Sequence, residues 1–166
     1  MKEPTAWDHI LMDRVLQEAH DALVHGGAGV AALLASPDRI ISVARNTIQT
    51  TGDMTDHAEM VLLHRVGKQL RSMNDAQRRT LSVYVTLEPC LMCGSALSFV
   101  GIKRIVYAAF AEDANAEISP WQKSMISWFA GHLFWCPACD AVKDKLCCDR
   151  WVRRRGHRPI SKHSDL

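Results

Sequence analysis

The sequence predicts a single α/β domain that contains at least one parallel pair of strands. Two apolar runs rich in β-branched residues, at 81–87 and 104–110, each follow a segment with helical character. A helix–strand–helix–strand order of this kind requires a crossover, and crossovers join parallel strands. The 166 residues are 48% hydrophobic and contain no repeat or linker. We therefore expect residues 1–166 to fold around one continuous core.

The first quarter of the chain predicts a helix followed by a β-hairpin. Residues 7–23 place apolar side chains on one helical stripe, and the Gly26-Gly27 pair then ends the helix. The apolar runs 30–35 and 40–44 flank a turn that contains Pro37-Asp38. The members of the helical stripe are Met12, Val15, Leu16, Ala19, Ala22 and Leu23.

A second helix is predicted after a polar loop at 51–56. Thr55 or Asp56 is expected to cap this helix, which then begins near His57. Residues 68–80 are polar and lead to the strand at 81–87. The apolar face of the helix is expected to consist of Met60, Leu63 and Val66 or Gly67.

Two more helices are predicted in the rest of the chain. Pro89 suits the first turn of a helix at 90–99, because its missing N–H is not needed there. Residues 139–155 have the apolar periodicity of a last helix. Between them, the strand at 104–110 completes the crossover that makes the fold α/β.

Composition argues against a membrane or secreted protein. No apolar run approaches the roughly 18 residues needed to cross a bilayer, and the N-terminus has no signal-peptide core. We expect a cytoplasmic protein whose six cysteines are reduced. The net charge of +2 does not by itself indicate a nucleic-acid partner, although five arginines crowd into residues 150–158.

The most informative feature is a His57-Ala-Glu59 segment followed, after a strand, by Pro89-Cys90-Leu-Met-Cys93. Cys90 and Cys93 are three residues apart at a predicted helix start, so their sulfurs share one face. A helix N-terminus also favours the thiolate form that binds metals. His57, from a second helix start, can supply a third ligand, and these residues predict a Zn²⁺ site.

Three protein ligands favour a catalytic zinc, because structural zinc sites are closed by four ligands. Zinc lowers the pKa of a bound water to about 7, and a nearby acid–base group must then move protons. Glu59 is the acidic residue beside the ligands. On a regular helix it would point away from His57, which makes it a poor ligand for the same ion. The main competing interpretation is a structural zinc knuckle completed by His64.

Three segments resemble the cytidine/deoxycytidylate deaminase superfamily, nearest the branch of tRNA adenosine deaminases and guanine deaminases. They are His57-Ala-Glu59, the Val-Thr-Leu-Glu-Pro-Cys-Leu-Met-Cys run at 85–93, and Ile-Lys-Arg-Ile-Val-Tyr at 102–107. The first two match the H-x-E…P-C-x-x-C signature, in which the glutamate is the acid–base group and not a ligand.

The resemblance implies a fold, a metal and an assembly. The fold is a three-layer α/β/α sandwich with a mixed sheet of about five strands. One catalytic Zn²⁺ is held by His57, Cys90 and Cys93, with Glu59 as the catalytic residue, and the protein is a homodimer. Asn46 occupies the place of an asparagine that contacts the substrate in this branch, although a turn asparagine ending a strand is an equally good interpretation.

The substrate is less clearly indicated than the reaction. The tRNA enzymes generally carry an Asp-x-Lys-x-Gly-like segment after the fourth strand, whereas this chain has the acidic segment Phe-Ala-Glu-Asp-Ala-Asn at 110–115. We therefore place a small purine or purine-like base or nucleoside first and adenosine in tRNA second. A cytosine-type substrate and a non-catalytic zinc-stabilised binding module are further alternatives. RNA could still contact Trp151 and the arginines after it, which resemble the last helix of the tRNA enzymes.

A second cysteine cluster lies near the end of the chain. A structural zinc there would use the Cys136-Pro-Ala-Cys139 pair with one or both members of the Cys147-Cys148 pair. The commoner use of such residues is a buried thiol cluster within a helix, and we favour that interpretation.

Overall fold

The computed structural model describes residues 4–110 and 133–135, and helices and strands alternate along them. None of the helices in these ranges is both long and apolar enough to cross a membrane. In chain order the elements are α1 Ala6–Val24, β1 Ala31–Ala35, β2 Ile40–Arg45, α2 Ile48–Thr51, α3 Ala58–Ser72, α4 Asp75–Arg79, β3 Ser82–Leu87, α5 Leu91–Phe99, β4 Arg104–Ala109 and β5 Leu133–Trp135.

The strands form one mixed sheet with the order β2-β1-β3-β4-β5. Strand β1 pairs antiparallel with both β2 and β3. Strand β3 pairs parallel with β4, and β4 pairs parallel with β5. The parallel pair predicted from the crossover is confirmed, and α5 makes that crossover. Two parallel strands therefore end at the same edge, and the helices that carry the functional residues begin there.

Helices cover both faces of the sheet, which confirms the three-layer α/β/α sandwich. Helix α1 packs against alternate strand residues such as Leu33, Tyr84 and Val106. Helices α3 and α5 pack on the opposite face, against residues that include Leu34 and Val83. Every residue of β1 is buried, because both of its faces lie under helices.

The predicted first helix and hairpin are confirmed. All members of the apolar stripe of α1 are buried except Leu16, which is half-buried. The turn between α1 and β1 also requires Gly29, whose φ of +70° suits glycine. A Cβ atom at this position would lie 2.5 Å from Cγ of Leu23. The chain therefore passes too close to α1 for any larger residue to fit unchanged.

The start of α3 differs from the prediction. The N-cap is His57 itself, in an extended conformation, and neither Thr55 nor Asp56 caps the helix. The backbone N–H and the hydroxyl of Thr55 both donate hydrogen bonds to the carboxylate of Asp53, so Thr55 belongs to the loop before the helix. The loop is also shorter than expected, because residue 51 ends α2.

The apolar face of α3 is rotated relative to the prediction. Met60 is only half-buried and Gly67 is exposed, whereas Leu63 and Val66 are buried as predicted. The sheet covers the stripe that runs through Leu62, Val66 and Leu70, and Met60 and Gly67 lie to the side of this stripe. The buried side chains of α3 are those of Ala58, Glu59, Leu62, Leu63, Val66 and Leu70.

The residues on either side of β3 also differ from the prediction. Pro89 lies before the N-cap Cys90 and not in the first turn of α5, so the proline shapes the approach to the helix. Residues 68–80 are largely helical, forming the end of α3 and α4. The predicted helix at 139–155 lies outside the described residues.

Candidate active site

Two helix N-termini meet at the edge where β3 ends, and each presents a candidate metal ligand. His57 is the N-cap of α3, and Cys90 is the N-cap of α5. Neither N-cap makes the usual side-chain capping bond. Their side chains turn towards each other instead. Cys93, in the first turn of α5, is fully buried and joins them.

The spacing of the three ligand atoms fits a tetrahedral zinc ion. Nδ1 of His57 lies 3.6 Å from Sγ of Cys90 and 3.6 Å from Sγ of Cys93. Zinc–sulfur bonds of about 2.3 Å and zinc–nitrogen bonds of about 2.0–2.1 Å, at tetrahedral angles, separate nitrogen and sulfur by about 3.6 Å. Both nitrogen–sulfur distances therefore match the edges of a tetrahedron of ligands around a zinc ion. The residues present fit the metal that the sequence predicts.

No fourth protein ligand completes the site among the described residues. Only His57, Cys90 and Cys93 bring ligand atoms within 4.8 Å of one another there. His64 is exposed and is not part of this group. The structural knuckle completed by His64 is therefore not formed. Three ligands leave a tetrahedral position for water or substrate, as in catalytic zinc sites.

The two thiols differ in proton affinity. A hydrogen bond from Cys93 lowers the pKa of Cys90 to about 4, and His57 adds to this effect. The same hydrogen bond, together with burial, raises the pKa of Cys93 far above its ordinary value. The hydrogen bond to Cys90 also raises the pKa of His57. The protein alone therefore holds one thiolate and at least one proton that zinc must displace.

Glu59 is a buried carboxyl group beside the ligands. Its side chain is 4% exposed, and burial is the main reason that its pKa rises to about 7. It interacts with the thiol of Cys93, but it is not among the three residues whose ligand atoms cluster. Because His57 precedes the helix, the expected opposition of the two side chains on a helical wheel does not apply. A pKa near neutrality suits a group that accepts and donates a proton.

The other predicted site residues are less well defined. Asn46 follows β2, and its side-chain oxygen accepts a hydrogen bond from the backbone N–H of Ile48 at 3.1 Å. This is the geometry of a turn asparagine. Its amide group donates no hydrogen bond to the described residues, and its contact with substrate stays a prediction. Trp151, Cys136, Cys139, Cys147 and Cys148 lie outside the described residues.

A buried polar network, which was not predicted from the sequence, lies on the opposite face of the sheet. Asp8 accepts hydrogen bonds from the Tyr84 hydroxyl and, at 2.8 Å, from the Arg104 guanidinium. Asp8 also forms a capping box with Thr5. The Thr-x-x-Asp spacing before an apolar stripe resembles a known helix-start pattern and could have pointed to Asp8. The network joins α1 to β4 and to β3, the strand that leads to Cys90.

A further contact holds the end of β3 in place. The backbone N–H of Glu88 donates to the carbonyl of Ala109, 2.8 Å away. Glu88 is itself buried, two residues before Cys90. The bond extends the pairing of β3 with β4 up to the turn into α5. It thereby fixes the backbone from which Cys90 projects.

Comparison with known proteins agrees with this geometry. The model of the cytidine and deoxycytidylate deaminase zinc-binding region matches residues 5–109, well over half of the chain. The chain belongs to this deaminase family. Membership accounts for the ligand set, because residues 5–109 contain His57, Cys90 and Cys93.

Two curated relatives of this deaminase are tRNA enzymes. The tRNA-specific adenosine deaminase of Aquifex aeolicus is 33% identical over 104 residues, which cover 63% of this chain and 67% of the relative. The tRNA-specific adenosine deaminase 2 of Xenopus tropicalis is 33% identical over 99 residues, which cover 58% of each chain. The chain thus spans about two thirds or less of the length of these relatives.

Solved structures show the same fold. A structure from a study of A-to-I editing by tRNA:A34 deaminases is 33% identical, with a TM-score of 0.54, over 63% of this chain and 78% of the other. A guanine deaminase from Nitrosomonas europaea has a TM-score of 0.71 over 93% of this chain and 87% of the other. The two sequences are only 18% identical, so this comparison shows similarity of fold alone.

Proposed function

We propose that this deaminase hydrolyses the exocyclic amino group of adenosine in tRNA, forming inosine and ammonia. The observation that carries the reaction type is the position of His57 Nδ1, 3.6 Å from both cysteine sulfurs, beside a buried Glu59. Zn²⁺ held by these three ligands supplies Lewis acidity, which lowers the pKa of a water to about 7.

Glu59 moves the protons in this proposal. Hydrolysis adds water to the ring carbon that bears the amine and expels ammonia, so a proton must pass from the water to the leaving nitrogen. Burial raises the pKa of the Glu59 carboxyl to about 7, which lets one group take that proton and return it. Glu59 lies beside the ligands and is not one of them, so its carboxyl group is not used to bind the metal.

The choice of tRNA rests on the relatives. The two curated proteins at 33% identity both act on adenosine in tRNA, according to their names, and so does the solved structure at 33% identity. From the sequence alone, a small purine is the first candidate substrate and adenosine in tRNA the second, and these similarities favour the second. We also propose that the protein is cytoplasmic, as its composition suggests, and that it is a homodimer, as the family resemblance implies.

The test is a comparison of substrates with one enzyme. Zinc-loaded protein is incubated with a tRNA transcript that has adenosine at the wobble position, with the same transcript carrying guanosine there, and with free adenosine, adenine, guanine and cytidine. Inosine in the first transcript, at a rate well above ammonia release from the free compounds, supports the proposal. A Glu59→Gln protein with full zinc content is the matched inactive control.

A free purine is the second candidate, and one observation favours it. The segment at 110–115 is acidic, and an acidic segment is poorly suited to contact a phosphate-bearing substrate. In the same experiment, ammonia from adenine or guanine and none from tRNA would establish this candidate. Absence of ammonia with every compound, from zinc-loaded protein, would instead favour a zinc-stabilised binding module.

A further inference from the structure

A basic groove lies at the end of α3 that is remote from the metal ligands. It has a volume of about 390 Å³ and lies between the last turns of α3 and α5, with α4 along one side. Helix α3 has 15 residues, so its two ends are about 20 Å apart. The groove is lined by Leu63, Gly67, Leu70, Arg71, Asp75, Arg78, Arg79, Phe99, Val100, Gly101 and Lys103.

The cations in this groove fall into two groups. Arg78 has a structural role, since its guanidinium pairs with Asp75 and donates to the carbonyls of Leu70 and Met73. Arg71, Arg79 and Lys103 are exposed, and their side chains make no hydrogen bond or ion pair with other described residues. With Asp75 neutralised by Arg78, the groove presents three unpaired positive charges.

An exposed aromatic ring completes the groove. Phe99, the last residue of α5, is 92% exposed, the highest value among the exposed large apolar residues of the described chain. Arg71 and Arg79 occupy last turns, where a helix dipole favours cations in any protein. That effect does not account for Lys103, which lies in the loop before β4, or for the exposure of Phe99. Cations beside an exposed ring are the usual elements of a platform for single-stranded nucleic acid.

We propose that this groove is a second RNA-binding site, which holds an unpaired segment of the same tRNA whose adenosine enters the zinc site. Phosphates contact Arg71, Arg79 and Lys103, and a base stacks on Phe99. The site binds and does no chemistry. The identity of the RNA rests on the proposed function, whereas the binding itself depends only on charge complementarity and stacking.

The first measurement is the salt dependence of RNA affinity. Fluorescence anisotropy follows binding of a labelled tRNA transcript to zinc-loaded protein between about 50 and 200 mM salt. Each lost phosphate contact should reduce the slope of log K against log salt by about 0.7, so Arg71→Ala, Arg79→Ala and Lys103→Ala combined should reduce it by about 2. Arg14→Ala, which removes an exposed arginine from α1 on the opposite face of the sheet, should leave the slope unchanged.

The second measurement tests the ring. Phe99→Ala should weaken RNA binding about tenfold, and Phe99→Trp should restore it, because every base stacks on an aromatic face. An unchanged slope in the triple variant, or equal affinity for Phe99→Ala and Phe99→Trp, would overturn the proposal. A shift of the variants from dimer to monomer in sedimentation, with RNA affinity unchanged, would make the groove a contact between copies of this chain and would also overturn it.

The two proposals fail in different ways. If no inosine forms in tRNA while the salt slope still falls in the triple variant, the groove binds RNA and only the proposed function is wrong. If wild-type protein deaminates tRNA and the slope is unchanged in the triple variant, the function holds and the groove proposal is wrong. Zinc content near one ion per chain and an unaltered circular dichroism spectrum confirm that each variant is folded.

Discussion

Nδ1 of His57 lies 3.6 Å from Sγ of Cys90, although 33 residues separate them in the chain. The contact exists because each residue ends the irregular segment before a helix and neither caps it with its side chain. Capping side chains normally satisfy the first N–H groups of a helix. The side chains of His57 and Cys90 make no such bond, and they lie next to each other at the candidate metal site instead.

Binding of zinc should release protons. Cys93 carries a proton in the protein alone, because the hydrogen bond to Cys90 and burial raise its pKa, and the pKa of His57 is raised as well. Ligation requires a thiolate and a neutral imidazole. Calorimetric titration with Zn²⁺ in two buffers of different ionisation enthalpy should therefore show proton release at pH 7. Cys93→Ser should bind zinc weakly, and His64→Ala should match the wild type. Weak binding of zinc by His64→Ala would instead support a structural zinc site with His64 as the fourth ligand.

The number of zinc ions per chain tests the second cysteine cluster. The described residues contain one group of three ligands, and we favour a buried thiol cluster for the four later cysteines, so we expect one ion per chain. Elemental analysis of protein purified without chelator gives the number. Two ions per chain, reduced to one by Cys136→Ser, would show that the cluster at Cys136, Cys139, Cys147 and Cys148 is a structural zinc site and not a set of thiols.

Replacing Glu59 should separate metal binding from turnover. Glu59→Gln keeps the size of the side chain but carries no exchangeable carboxyl proton, so the rate should fall by roughly 10²–10⁴. Zinc content should remain at the wild-type value, because Glu59 is not among the clustered ligands. The measurement is ammonia release together with metal analysis. Full activity in Glu59→Gln would assign the proton transfer elsewhere, and loss of zinc would make Glu59 a ligand.

The ionised carboxylate of Asp8 should stabilise the folded protein at neutral pH. Burial alone would raise its pKa, but hydrogen bonds from Arg104, Tyr84 and Thr5 outweigh burial and hold it well below the ordinary 3.8. A depressed pKa in the folded state means that the stabilisation is complete above about pH 4 and is lost as the pH falls below that value.

Asp8→Asn should therefore lower the free energy of unfolding by about 2 kcal/mol at pH 7, since it removes the buried negative charge that faces the Arg104 guanidinium. The variant should also lose less stability than the wild type between pH 4 and 2. Urea unfolding across this range measures both effects. Asp13→Asn, on the exposed side of α1, is the matched control. If the free energy of unfolding fell equally for Asp8→Asn and the wild type between pH 4 and 2, the lowered pKa of Asp8 would be contradicted.

A side chain at position 29 should destabilise the protein. Alanine there would combine a φ of +70° with a Cβ only 2.5 Å from Leu23, so Gly29→Ala should destabilise the protein by about 1–3 kcal/mol. Gly52→Ala is a useful control, because Gly52 has a similar φ of +75° with open space around its Cβ position. Thermal unfolding of both variants separates backbone strain from the clash. Equal losses would show that Leu23 moves away at little cost.

Local chemistry accounts for what was predictable from the sequence. The three-residue spacing of Cys90 and Cys93 requires no tertiary information, because any helix start places such sulfurs on one face. The apolar stripe of α1 and the Pro37-Asp38 turn are equally local. The ligand set and the element order followed from these patterns and from the family resemblance.

Only the tertiary structure decided how those elements meet. Nothing local shows that His57 would be the N-cap residue of α3 and direct its side chain to the cysteines, or that Glu59 would be buried. Nor does any local pattern show that Phe99 and Lys103 would share a groove with Arg71. These relationships depend on contacts between residues far apart in sequence and on which face of each helix the sheet covers. Periodicity predicts that a helix has an apolar face, whereas packing against β1, β2 and β3 determines where on the wheel that face lies.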